Sequence, residues 1–139
     1  MAIYAVGAFY DGTTDVSPQF IQANIVGIGW PISDAPELHQ FIRSLKVGDV
    51  VYIKACAFGA ENITVKAVGL VRDDVVLDSL STGGLVEIGR NVMWRWAKSI
   101  NIPNPSHARS GHSEKLNHRS NTIYEEFHPF IQARILSML

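Results

Sequence analysis

Two neighbouring runs constrain this chain more than any other feature: "VGDVVYIKACAFG" (47–59) and "ENITVKAVGLVRDD" (61–74). Both are rich in β-branched and aromatic side chains, and turn-forming residues from Gly59 to Asn62 separate them. The pair therefore predicts a β-hairpin at the centre of the chain. In the second run Ile63, Val65, Ala67 and Gly69 alternate with Thr64, Lys66, Val68 and Leu70. That strand begins half exposed and becomes buried on both faces. Gly48 and Asp49 form the turn that feeds the first strand.

Around this hairpin the period changes. "IYAVGAFY" (3–10) and "NIVGIGW" (24–30) read as strands joined by a turn-rich connector, "DGTTDVSP". "SDAPELHQFIRSL" reads as a short amphipathic helix, with Ser33 or Asp34 as N-cap, Pro36 in the first turn, and Leu38, Phe41, Ile42 and Leu45 at helical spacing. "STGG" (81–84) punctuates before a long strand, "LVEIGRNVMWRWAKSI". Residues 101–121 hold few apolar side chains and read as a polar loop, long enough to suggest a functional role. The C-terminus, 122–139, reads as a helix opened by a capping box at Thr122 and Glu125 and interrupted at Pro129. Strands outnumber helices. The expected fold class is α+β: a small mixed, mostly antiparallel curved β-barrel with two or three short helices. The 139 residues fit a single domain with one core, its barrel spanning about 3–100.

Charge is uneven along the chain. Residues 1–87 carry five Lys/Arg against ten Asp/Glu, net -5, whereas 88–120 carry six (Arg90, Arg95, Lys98, Arg109, Lys115, Arg119) against Glu114 alone, net +5. A basic segment on a near-neutral domain suits capture of a few phosphates rather than coating of a long duplex. A solvated basic loop is the plainer alternative. No apolar run approaches the ~20 residues of a membrane span. The N-terminus reads as a strand rather than a targeting segment. Cys56 is single, which suits a reducing, cytoplasmic compartment.

"NVMWRWAK" (91–98) places two of the three tryptophans two residues apart. Strict strand alternation puts Val92, Trp94 and Trp96 on one face and Met93, Arg95 and Ala97 on the other. Trp96, nearer the polar segment, is expected at a rim, and Trp94 in the interior. Trp30 ends an apolar strand and precedes Pro31, which holds it extended. The order "NIVGIGW", helix, "LKVGDVVYIK", "ITVKAVGLVRDD" and "MWRW" over residues 3–100 resembles the PUA-like barrels that include the EVE and YTH domains, and is similar to a domain at the N-terminus of some Mrr-like restriction endonucleases. That resemblance implies recognition of nucleic acid, often by taking a modified base into an aromatic pocket.

The resulting expectation is a non-catalytic module for DNA or RNA that binds a single-stranded or flipped-out base, modified or not. Trp30, Trp94, Trp96 and Arg95 are the candidate base-binding residues; Arg109, Lys115, Arg119 and Asn121 are the candidate phosphate-binding residues. Each tryptophan has core packing as its alternative, and Arg95 a solvated face. His107, His112 and His118 are spaced by five and six, which matches no zinc motif, so no metal and no cofactor is expected. No nucleophile elbow and no glycine-rich phosphate loop is present. Asp73 and Asp74 are adjacent and would face opposite ways in a strand, so no acid–base pair forms there. The competing reading is a small-molecule sensor or nucleotide-processing enzyme using the same pocket. Expected partners, besides nucleic acid, are a separate nuclease and a second copy of this chain, the latter through "FIQARILSML" (130–139); no membrane is expected.

Overall fold

Strand β6 (Asn62–Asp78) is the spine of the molecule, because three other strands pair with it. The computed structural model describes residues 1–10, 13–55, 61–105 and 122–139. In chain order the remaining elements are β1 (Ile3–Gly7), β2 (Phe9–Tyr10), β3 (Thr14–Asp15), α1 (Ser17–Ala23), β4 (Ile25–Ile28), α2 (Pro36–Ser44), β5 (Val50–Ala55), β7 (Ile88–Trp96), β8 (Ile100–Pro103), β9 (Ile123–Glu125) and α3 (Pro129–Leu136). The fold is α+β and mostly antiparallel. Seven strands form one sheet in the order β4-β7-β6-β5-β1-β9, with β8 also on β6; β2 and β3 form a separate ribbon. The central β5–β6 hairpin pairs as the sequence predicts, and β1 alongside β5 is the parallel pair.

The sheet is open, which corrects the expected closed barrel. Edge strands β4 and β9 share no ladder. A side chain links their ends instead: the Trp30 indole N–H, just past β4, donates to Thr122 Oγ1, just before β9, at 3.0 Å.

The single expected core is likewise divided between two faces. One face packs Val6, Val26, Ile28, Val51, Ile53, Ala67 and Val92 against Phe20 of α1 and Leu38 and Ile42 of α2. The other packs Ala5, Val50, Tyr52, Val65 and Val68 against Ile131 and Ile135 of α3. β6 serves both faces through a bulge. Ile53 pairs with Ala67 but the next residue, Lys54, pairs with Val65, so Lys66 is extra. Ile63 and Val65 therefore lie on the α3 face and Ala67 on the α1/α2 face, rather than together as uninterrupted alternation requires.

Three further elements differ from the sequence reading. Helix α1 replaces part of the turn-rich connector. Asp15 Oδ1 accepts the Ser17 N–H at 2.9 Å and Pro18 fits the first turn, so Asp15 and Ser17 start a helix instead of a loop. Residues 100–103 form β8 on the half of β6 that β7 has left, so the polar loop begins later than 101. Residues 123–125 form β9 on β1 rather than a helix, because the free edge of β1 offers a ladder that a capping box cannot match; the helix starts at Pro129. Helix α2 forms where periodicity places it, with Ala35 rather than Ser33 or Asp34 at the N-cap position.

At the other end of α2 stands Arg90, only 1% exposed. Its Nη1 donates to the carbonyls of Ile42 (3.1 Å), Arg43 (3.5 Å) and Leu45, the last acceptors of the helix, and Nη2 donates to Asp73 O at 2.8 Å. Among the described residues no carboxylate pairs with it; the negative helix end meets its charge. Four β6 residues, 72–75, bulge out opposite Asn91 alone, and Arg90 with the Asn91 amide to Asp73 (3.2 Å) holds that bulge. Arg90→Met should therefore lower unfolding free energy by about 3–5 kcal/mol, through the orphaned carbonyls it leaves. Arg90→Lys should recover little of this, because an ammonium lacks the planar fork. Urea melts of the three proteins measure both.

Candidate functional site

Trp94 and Trp96 do not share a face. β7 carries its own bulge: Gly69 pairs with Trp94 and the next β6 residue, Val68, pairs with Trp96, so Arg95 is extra. Trp94 packs on the α1/α2 face and Trp96 on the α3 face. The two rings cannot form the one-sided platform that alternation predicts. Both are half-buried, and Arg95 is exposed at the bulge.

Trp94 is tied into the fold. Its indole N–H donates to Phe20 O at 3.3 Å, joining β7 to α1, and its ring lies over Gly69. A Cβ at residue 69 would stand 2.8 Å from Trp94 Cε3 and 2.6 Å from Met93 O. Glycine is required there for close approach rather than for an unusual φ.

Trp30 is the better-placed aromatic. Its ring is half-buried against the α1/α2 cluster. Besides the bond to Thr122, its carbonyl oxygen lies 2.6 Å from Nε2 of His39, a buried side chain of α2 that donates to it. Strand β4, helix α2 and the start of β9 thus all locate this residue. Sequence reasoning missed His39 and gave Thr122 only a capping role; each lies far from Trp30 in sequence or in another element. The three tryptophans therefore do not line one pocket, since Trp96 faces the other side of the sheet.

Of the basic residues, Arg90 is structural, as shown above, while Arg95 and Lys98 are exposed. Arg109, Lys115, Arg119 and Asn121, together with Cys56, His107, His112 and His118, lie outside the described residues. A shallow depression of about 300 Å³ is lined by Ala23, Ile25, Leu77, Ser81, Thr82, Leu85 and Asn91, and includes none of the tryptophans. Asp73 and Asp74 lie in the β6 bulge, where Asp73 is occupied by the Asn91 amide, the Val75 N–H and Arg72. No helix among the described residues is long and apolar enough to cross a membrane.

The most reactive-looking cluster is the buried pair of Tyr52 and Glu126. The Tyr52 hydroxyl donates to Glu126 Oε1, Oε2 accepts the His128 N–H at 3.1 Å, and the Glu126 carbonyl accepts from Gln132 Nε2 at 2.8 Å. His128 Nδ1 in turn accepts the Phe130 N–H at 3.2 Å and caps α3. The cluster anchors α3 to the sheet. Burial, with Tyr124 and Glu126 beside it, pushes the Tyr52 phenol far above its ordinary range. Burial and Glu87 push Tyr10, whose hydroxyl donates to Leu85 O at 2.6 Å, up to about 12. A raised phenol contributes stability that is complete below the unfolded value near 10 and is lost as pH rises through the folded value.

Two outcomes follow from this geometry. On alkaline titration the Tyr10 and Tyr52 phenols should ionise late, their share of the 295 nm absorbance rising together with loss of far-ultraviolet ellipticity. Gly69→Ala should cost about 1–3 kcal/mol in denaturant melts, as overpacking does, and shift tryptophan emission because Trp94 must move. No protein-family model matches the chain, and no curated protein matches it in sequence.

Proposed function

We propose that the protein is a non-catalytic nucleic-acid recognition module that stacks a single-stranded or flipped-out base on Trp30. The observation that supports this most is the positioning of that ring. Thr122 holds its edge and His39 holds its backbone, while the residue keeps part of its surface exposed to solvent. A preset aromatic face binds a base with little ordering cost, and a stacked base contributes about 1–3 kcal/mol. The basic segment that contains Arg109, Lys115 and Arg119 precedes Thr122 in the sequence, the residue whose hydroxyl accepts the Trp30 indole N–H. Those side chains and Asn121 are the proposed phosphate and base-edge contacts, with exposed Arg95 and half-buried Trp96 as separate candidates on β7.

The PUA-like assignment belongs to this proposal and rests on the order of the sequence stretches that resemble such domains. Trp94 is given a structural role. The single Cys56 favours a cytoplasmic setting, and a separately encoded nuclease is the proposed effector for a module of this kind.

Trp30→Ala should weaken binding of a fluorescent single-stranded oligonucleotide by about 1–3 kcal/mol while far-ultraviolet ellipticity is retained. With Arg90 buried, five cations remain in the basic segment. At roughly -0.7 per contact, log affinity against log salt should fall with a slope of about -2 to -3.5. Unchanged affinity in Trp30→Ala would remove the stacking assignment. Tight binding with a slope near zero would point instead to a small-molecule ligand.

A further inference from the structure

Residues 122–139 are fastened to the sheet by side chains at two separated points. At one, Thr122 Oγ1 accepts the indole N–H of Trp30, which stands just past β4, the other edge strand. At the second, Glu126 Oε1 accepts the hydroxyl of Tyr52, which belongs to the α3 face. Between them lies β9, three residues at the edge of the sheet, with Ile123, Tyr124 and Glu125 opposite Val6, Ala5 and Tyr4. So short an edge strand opens more readily than the ladder of β5, β6 and β7.

Glu126 passes any movement of β9 on to α3. Its backbone N–H donates to Ile3 O at 2.8 Å, its Oε2 accepts the His128 N–H at 3.1 Å, and its carbonyl accepts from Gln132 Nε2 at 2.8 Å. His128 in turn caps α3 through the Phe130 N–H. When β9 lifts from β1, Glu126 leaves Tyr52 and the start of α3 goes with it. On the other face, the Trp30 ring loses the acceptor that holds its edge.

We propose that this segment is a strap coupled to the Trp30 face: a base stacked on Trp30 holds β9 and α3 closed on the sheet, and the closed strap strengthens the stacking. The coupling rests on the Trp30 reading given above. Its physical source is differential affinity. Thr122 presets the ring only while β9 is docked, so a base binds the docked state more tightly and shifts the population toward it. The effect is reciprocal, since docking favours the base by the same factor as the base favours docking. Its size is set by the Trp30–Thr122 hydrogen bond, whose net contribution corresponds to about a 2- to 10-fold change in the opening equilibrium. Helix α3 is the telling reporter. It packs on the face opposite the Trp30 ring, so a base on Trp30 protects it through the strap and not by contact.

Hydrogen exchange of the full chain tests this, with and without a saturating mixed-sequence single-stranded oligonucleotide. Without it, Thr122→Val, which keeps the side-chain shape but not the acceptor, should speed exchange of the Glu126 and α3 amides about 2- to 10-fold and leave the β5–β6 amides unchanged. Thr122→Ser, which keeps the hydroxyl, should exchange like the parent. With the oligonucleotide, the same amides should slow by about 2- to 10-fold in the parent and stay unchanged in Thr122→Val. An oligonucleotide that does not bind overturns the Trp30 reading and the coupling with it. Binding without slower exchange in α3, slowing that survives in Thr122→Val, or parent-like exchange of Thr122→Val without oligonucleotide would each overturn the coupling alone.

Discussion

The guanidinium of Arg90 is the interaction on which the architecture depends. Three elements meet at this one side chain: the last turn of α2, the bulge of β6, and β7, which carries it. An isolated charge so deeply buried would cost many kcal/mol, and with no carboxylate beside it among the described residues it is tolerated because helix carbonyls and the Asp73 carbonyl accept from it. Helix α2 in turn covers one face of the sheet with Leu38 and Ile42 and positions Trp30 through His39. The orientation of the candidate base-stacking residue is thus set by a residue on another strand that never touches it.

Two bulges do the remaining work of shaping the sheet. Lys66 on β6 and Arg95 on β7 are each an extra residue in an otherwise regular ladder, and each reverses which face the following side chains occupy. Their combined effect is that one strand pair supplies cores to α1 and α2 on one side and to α3 on the other. Both extra residues are cations, whose long side chains tolerate such positions. Lys66 reaches Asp15 at 2.6 Å and lies over the Phe9 ring, so its bulge also fastens the β2–β3 ribbon.

What the sequence made legible was local. The central hairpin and α2 follow from periodicity within a dozen residues, and both formed. The tryptophan pair shows where that logic stops. Alternation is a property of a regular ladder, and whether Arg95 is in register depends on which β6 residue it meets, which the sequence around it does not encode. Arg90 in a basic run looked like its solvated neighbours, since its partners are backbone carbonyls carrying no sequence signature. β9 was misread because its reason for being a strand, the edge of β1, lies about 120 residues away. Helix α1 was discoverable: Asp15, Ser17 and Pro18 are ordinary start signals, overlooked inside a cluster of turn formers. Trp30 was identified as a candidate, but the atoms that hold it belong to α2 and the segment before β9.

The position of β1 carries a consequence for the order of assembly. Its partners are β5, in parallel, and β9, and both are synthesised after it. β5, β6 and β7 follow one another as antiparallel neighbours and can pair as soon as they emerge, whereas β1 must wait through some forty residues for β5 and through well over a hundred for β9. Chain-closure entropy makes such distant pairings slow. During that interval β1 presents Ile3, Ala5 and Val6 on an unprotected edge, the kind of edge that recruits other chains. The short strand β9 therefore does more than extend the sheet: it is the late cover for the segment with the longest unpaired lifetime, and a chain interrupted before it would be most exposed to misassembly at its own beginning.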